Sequence, residues 1–597
     1  MMNCSIRGFV GLAVGCLAVL AVAGSVFAWE PNEKDLETAI GSGDFGGYLA
    51  NLNAWLEAKT PADLAKTNEA ALTELVKNPA VRKALDQRQF IVTHGVATVN
   101  TFAKVEAHRT FLAWVMKSTE ILDLYLEAVA SNEGLIGDGS KDLGVLERWH
   151  QLYTEDPDTH KGVYMKLAMA VSIFPPGGSG QYRSTEPIEW RKRYYNYKTA
   201  NEKKELVPSF NHLLVVDYGR VLNCIGADTD INWARQMIRS WRPDLLEKEQ
   251  IHKIVSEVWR RFSPFGFDNG FITVMEGGGK CGPRGIFGQF VCNALGIPAI
   301  GVGQPRHCCF AARCDFPETE PQVGSAWKVY QGRGWQFSDC GGNTYGPAFV
   351  AEMTKRYRTA ELSAISHIQW LASVQPDKAK TEALRALALK VRKLVNTSDP
   401  LGVPAAEVDV VLAGKRSKAD PSHKEPVLDY DKEGPAATNE SSFAGGSTTQ
   451  RVKEEPSVVP PGAIHVKAES FVKSFAEPLY PSEQEGKVYV YDSVGGGKQV
   501  NFARNMKISW IDYALDIPEA GTYTMEVMVA AANRDQLLDV SAGDEKLGTI
   551  KIPGTTGLWK KMAPIDIKLK KGLQTLRISA PLQRGVAIRW FELTPKK

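Results

Sequence analysis

The sequence predicts a multidomain α+β protein: an N-terminal helical region, an α+β core, a disordered linker and a C-terminal antiparallel β-sandwich of jelly-roll type. Three observations carry this. Residues 29–205 repeat apolar side chains at helical spacing. Residues 276–338 run from a glycine-rich loop into an apolar helix and then short strands. From residue 462 the apolar period drops to two. At 597 residues the chain also exceeds what one hydrophobic core fills. The expected boundaries are 1–28 for a signal peptide, 29–205 for the helical domain, 206–395 for the core, 396–461 for the linker and 462–597 for the sandwich.

The first segment has the form of an export signal. Arg7 supplies the positive start, Phe9 to Ala23 the apolar run, and Val26-Phe27-Ala28 a small-residue cleavage site before Trp29. The run is short for a membrane span, and no second such segment follows. The expectation is a secreted or periplasmic (cell-envelope) protein with no transmembrane span after signal cleavage; an uncleaved anchor is the alternative. Cys16 lies inside the apolar run, which does not suit a lipoprotein. In the helical region, Leu112, Val115, Ile121, Leu122, Leu124 and Leu126 mark a buried stripe, and Pro175-Pro176-Gly177-Gly178 marks a loop. No chemical motif appears there, so the region reads as support or recognition.

In the core, Lys248 to Phe262 reads as a helix with Ile251, Ile254, Val255, Val258 and Trp259 on one face. A second helix starts at Cys281, buries Ile286, Phe287, Phe290, Val291, Ala294 and Leu295, and stops at Gly296 before Pro298. Strands follow at Ala299 to Val302, His307 to Arg313, Trp327 to Gln331 and Trp335 to Ser338, with Gly332-Arg333-Gly334 as a hairpin turn. A helix near 380–395 closes the segment. The linker is rich in Pro, Gly, Ser and charge and cannot bury a core. Asn396 and Asn439 head N-x-S/T sequons. In the sandwich, I-H-V-K-A-E-S-F, V-Y-V-Y-D-S, W-I-D-Y-A-L-D-I, T-Y-T-M-E-V-M-V, L-L-D-V-S-A and Q-T-L-R-I-S-A read as strands.

With 71 basic and 68 acidic residues the net charge is +3, and no basic stripe interleaves with aromatics, so nucleic acid is excluded as the expected partner. After signal cleavage an odd set of cysteines remains: Cys224, Cys281, Cys292, Cys308, Cys309, Cys314 and Cys340. An exported chain with an odd set keeps at least one thiol free or uses it between molecules.

The chemistry concentrates on Cys281. A thiol at a helix N-terminus sits at the positive end of the macrodipole, which favours the thiolate. His307 follows 26 residues later, enough chain for a helix, a strand and a return. Such a pair forms a nucleophile and its base; Asp339 in G-W-Q-F-S-D is an acid to orient the imidazole. The amide of Cys281 is the first oxyanion donor. Gly282, Gly285 and Gly288 permit close approach of the helix to the His strand. Adjacent His307, Cys308 and Cys309 point to opposite faces of a strand, which disfavours zinc. Cys314 with Cys340 as a cross-strand disulfide, or buried thiols, accounts better for that cluster.

K-C-G-P-R-G with A-L-G-I-P-A, Q-P-R-H and W-Q-F-S-D resemble the transglutaminase-like superfamily over residues 206–345. The resemblance implies a papain-like α+β fold and acyl transfer or amide hydrolysis on a protein or peptide, with no cofactor for catalysis. It departs from the family in the 32 residues between His307 and Asp339. Gln331, which ends the W-x-x-x-acid pattern from Trp327, is the alternative at the acid position.

The sandwich motifs, including T-T-G-L-W-K-K and A-I-R-W-F-E-L, resemble carbohydrate-binding modules of type six and related families. That implies a polysaccharide or glycoprotein partner, with Trp559 as one wall of the sugar site and Tyr491 or Trp510 as the other. Rings stack on the apolar C–H faces of sugars. The family's asparagine falls at Ala587. Glu469 matches a position that helps hold a structural calcium ion. Together these imply an exported thiol amidase, protease or acyltransferase targeted by a tethered glycan-binding sandwich, of which a glycoprotein amidase is one form. The alternative is a non-catalytic binding or structural envelope protein with the same fold.

Overall fold

The computed structural model describes residues 29–64, 66–130, 143–177, 188–258, 270–304, 307–313, 327–330, 336–339, 342–345, 359–397, 459–478, 488–494, 496–502, 506–581 and 585–596. Its layout is multidomain α+β, with helices leading and an antiparallel sandwich at the C-terminus. The expected linker falls almost wholly outside the described residues, as does the expected signal peptide.

Two compact units emerge, and the first is discontinuous. It joins the helices up to Ile173 with residues 358–400. Among its helices, α1 (Pro79–His94) opens with Asn78, whose side chain accepts from the backbone N–H groups of Ala80 and Val81 ahead of Pro79. Helix α2 (Thr119–Ala130) buries Ile121, Leu122, Tyr125 and Leu126, the stripe expected from sequence. An aromatic core lies between them, with Tyr125 stacked on Trp149 at 5.4 Å.

The second unit holds residues 174–357 and the sandwich. Here α3 (Asp228–Trp241) and α4 (Phe271–Gly277) pack on α5 (Cys281–Ala294), which covers a sheet of order β3-β2-β1-β4-β5, every recorded pair antiparallel. Its strands are β1 (Ala299–Gln304), β2 (His307–Arg313), β3 (Trp327–Tyr330), β4 (Gln336–Asp339) and β5 (Gly342–Tyr345). Helix α5 ends as expected: Gly296 takes φ +91° and Ile297 donates back to Cys292 O. The helix expected over 248–262 is shorter. A 3₁₀ turn at Ile251–Lys253 leads into Ile254–Glu257, where Val258 is extended; Trp259 to Phe262 lie outside the described residues.

The chain then returns to the first unit through α6 (Thr359–Val374) and α7 (Lys378–Thr397). This differs from the expected division at 205 and 395. Three long-range contacts show why: Arg88 donates to Ser373 Oγ at 2.9 Å, Gln375 to Thr60 Oγ1 at 2.9 Å, and His367 meets Asp86 at 2.6 Å. Helix Trp190–Glu202 belongs to the second unit instead. Its Arg193 is fully buried, bonds Asp228 at 2.6 Å and donates to the carbonyls of Leu222, Cys224 and Gly226.

The sandwich pairs two sheets. One runs β13-β12-β16-β10-β7, the other β14-β11-β17-β9-β8, with β15 on β11 and β6 on β17. The strands are β6 (Ile464–Lys467), β7 (Lys473–Pro478), β8 (Val488–Asp492), β9 (Lys498–Phe502), β10 (Met506–Ile517), β11 (Gly521–Ala531), β12 (Gln536–Ala542), β13 (Glu545–Ile552), β14 (Lys560–Lys561), β15 (Ile565–Leu569), β16 (Gly572–Pro581) and β17 (Val586–Pro595). Alternation sets the core: Tyr523, Met525, Val527 and Val529 of β11 face Ile511, Tyr513 and Ile578 across the layers. Trp590 is 9% exposed.

Candidate functional site

Two regions carry the candidate residues: the α5–β2 junction of the core, and the loop end of the sandwich.

Cys281 is the first residue of α5, a helix of 14 residues whose N-cap, Lys280, is extended with ψ 179°. The loop before it turns at Gly278, φ +80°. Helix α5 packs over β1 and β2. A Cβ added at Gly288 would sit 2.4 Å from Val255 Cγ2 and 2.5 Å from the Phe310 ring on β2, so that glycine is required for the close approach. His307 opens β2 opposite Gln304 of β1. Ser338 of β4 pairs with Gly303 on the other side of β1, and Asp339 follows Ser338. The backbone thus gathers α5, β2 and β4 into one layered unit, with β1 between the His and Asp strands. Gln331 lies outside the described residues, as do Cys314 and Cys340. Cys224 and Cys292 are buried, and burial pushes the Cys224 thiol up, away from reactivity.

The loop end of the sandwich packs on the core. Gln499 and Asn501 of β9 donate to Trp241 O at 3.0 and 3.4 Å. Both amides are buried, on the strand face opposite Val500 and Phe502. Gly585, φ +65°, lies flat against the Trp241 indole, where a Cβ would come within 2.3 Å of Cζ2. Asn533 donates to Glu257 O at 3.0 Å, and Trp233 Nε1 donates to Thr556 O at 3.0 Å. Glu276 of α4 accepts the Thr556 N–H at 2.8 Å, and its carbonyl accepts from Arg534 N at 3.2 Å. Burial raises the Glu276 carboxyl above its ordinary range, against the opposing pull of the Thr556 N–H.

The ring residues expected to meet sugar divide between two surfaces. Tyr491 of β8 lies at the core contact. The Arg242 guanidinium sits 5.8 Å from its ring centre, clamped by Asp244 and Glu257, and burial raises the Tyr491 phenol. Trp559 follows the T-T-G turn, whose Gly557 abuts Met237 of α3; its ring is half-buried, and its Nε1 has no acceptor among the described residues. Trp510 stands on the far face of β10. It stacks on Phe475 of β7 at 5.6 Å, and Arg577 lies 3.7 Å over its ring, held by both oxygens of Asp512. Phe475 is 44% exposed. Glu469 sits in the short turn Ala468–Ser470 and joins no cluster of three or more ligating His, Cys, Asp or Glu groups among the described residues.

Trp241, Arg242 and Glu276 were not legible as contact residues. The signal that could have shown the contact is the Gln499–Asn501 pair, two amides at period two that alternate with the apolar Val500 and Phe502.

The sandwich belongs to the class of antiparallel glycan-binding sandwiches: the family model "Carbohydrate binding module (family 6)" matches residues 481–595. A curated relative, the clotting factor G alpha subunit of Tachypleus tridentatus, is 29% identical over 133 residues, 22% of this chain and 19% of that one. The chain therefore spans under a fifth of that relative. Among solved structures, the C-terminal module of the laminarinase LamC from Zobellia galactanivorans is 21% identical, with a TM-score of 0.19 over 22% of this chain and 98% of that one. A module from Cellvibrio mixtus lichenase 5A in complex with cellotriose is 25% identical, with a TM-score of 0.18 over 22% and 98%. Among the described residues no helix is long and apolar enough to cross a membrane.

Proposed function

We propose that this chain is an exported, glycan-directed thiol enzyme that hydrolyses or transfers acyl groups at carboxamide or peptide bonds. The observation that carries the reading is backbone placement: Cys281 heads a 14-residue helix that packs over the strand opened by His307. In the reaction proposed, the Cys281 thiolate attacks the carbonyl carbon, and N–H groups at the helix start receive the oxyanion. His307 gives its proton to the departing amine as the C–N bond breaks, leaving a thioester. Asp339 orients the imidazole. Water or an acceptor amine then attacks the thioester and returns the thiol.

The sandwich supports delivery to a polysaccharide or glycoprotein. Its aromatic pair, the exposed Phe475 and the half-buried Trp510, offers ring surface beside the hydrogen-bonding Asp512–Arg577 pair. Tyr491 and the turn before Trp559 lie against the core, so the far face of β10 is the proposed glycan surface.

The test is residue-resolved alkylation: the rate at Cys281, mapped by peptide mass from about pH 5 to 8 in the native protein and in His307→Ala. A fast rate at about pH 6 that falls in His307→Ala supports the enzyme. A rate that rises only above about pH 8 and ignores His307 leaves an inert thiol. The extent of the core–sandwich contact favours a second reading, a structural or binding protein of the cell envelope. That reading gains if Cys281 is inert while retention on polysaccharide columns persists and is lost in Trp510→Ala.

A further inference from the structure

Asp86 of α1, Asp123 of α2 and His367 of α6 converge inside the helical unit. One ligating atom from each lies within 4.8 Å of the others. His367 Nδ1 is 2.6 Å from the Ser363 carbonyl oxygen, which can only accept, so Nδ1 carries the ring proton. In the neutral imidazole, Nε2 then presents its lone pair to Asp86 Oδ1 at 2.6 Å. Two electron pairs at that separation require a positive charge between them or beside them. Asp86 is fully buried, and its other oxygen, Oδ2, has no hydrogen-bond partner among the described residues. A buried carboxylate oxygen left that way costs free energy that a bound cation would recover. Asp123 completes the group 3.9 Å from Nε2, with Arg82 holding its outer side.

We infer that Asp86, Asp123 and His367 Nε2 form a binding site for one divalent transition-metal ion of the zinc class. One imidazole nitrogen and two carboxylates suit a borderline cation and balance its charge. An imidazole fixed through its other N–H to a carbonyl is the usual support of a metal-bound histidine. Asp123, 20% exposed, gives the ion a route in and leaves a coordination position for water. A lone proton would join His367 to Asp86 and draw Asp123, which Arg82 also holds, but it would leave Asp86 Oδ2 without a partner among the described residues.

The experiment uses the full chain, stripped with chelator and titrated with Zn²⁺ against a competing chromophoric chelator. A parallel Co²⁺ titration is read by visible absorption. The expected result is one tight equivalent, a raised Tm, and Co²⁺ bands without thiolate charge transfer. His367→Gln and Asp86→Asn should each lose at least about tenfold in affinity. The proposal is overturned by no tight equivalent in the native chain, by unchanged affinity in His367→Gln, or by a thiolate spectrum. Should the variants fail to fold, a native Tm that Zn²⁺ does not move overturns it alone.

Discussion

Replacing Gly585 with Val should release the sandwich from the core. The backbone there is left-handed at φ +65°, where a β-branched residue costs about 1–2 kcal/mol. Its Cβ would also meet Trp241 Cζ2 at 2.3 Å, and the indole is fully buried, so it cannot swing aside. Overpacking of that kind costs about 1–3 kcal/mol. Together these reach about 2–5 kcal/mol, a shift of about 30- to 4,000-fold toward the released state. The contact resists with hydrogen bonds each worth about 1 kcal/mol net, so the loss is a large part of what holds it. The assay is hydrogen exchange at the Trp233 indole N–H and the Thr556 amide, which bond Thr556 O and Glu276 across the contact. Both should lose protection in Gly585→Val. The control is Gly572→Val, which has φ +94° but open space around its Cβ, and should leave both unchanged. Unchanged protection in Gly585→Val refutes the idea that this glycine is required for docking.

Other outcomes follow from single sites. Burial lowers the His94 imidazole from 6.5 to about 4, so the folded state holds it neutral. Its stabilisation is intact above about pH 6.5 and is lost as pH falls toward about 4, by about 3 kcal/mol; melting curves across that window should flatten in His94→Gln. The raised Glu276 carboxyl works the other way, since stability falls as pH rises above its ordinary range, and Glu276→Gln should remove that slope from the docking equilibrium. Gly288→Ala gains about 1 kcal/mol of helix propensity but overpacks Val255 and Phe310 at a cost of about 1–3 kcal/mol, and should lower the unfolding free energy by a net of up to about 2 kcal/mol in denaturant titration. Arg193→Met strands Asp228 and three carbonyls and should cost about 3–5 kcal/mol in denaturant unfolding.

Local patterns were readable where neighbours in sequence decide the structure. The Cys281 helix, its stop at Gly296 and the strands after it follow from apolar spacing and backbone permissiveness, and the sandwich strands from a period of two. Contacts between distant segments were not readable. Nothing near residue 367 announces that its imidazole meets Asp86, 281 residues earlier, and helices α6 and α7 carry an ordinary apolar stripe that fits either unit. The Trp241 contact hid for a related reason: it is made largely by carbonyls and backbone N–H groups, which every residue possesses. Aromatic residues in the sandwich were visible, but which of them faces the core depends on loops that periodicity does not describe.

The split helical unit carries a consequence for synthesis. Thr60, Asp86 and Arg88 emerge from the ribosome 315, 281 and 285 residues before their respective partners Gln375, His367 and Ser373. The earliest-made helices must therefore wait, with buried-type polar groups exposed, while the intervening core is translated. Nascent chains stalled before α6 should bind holdase chaperones, and those stalled past α7 should shed them.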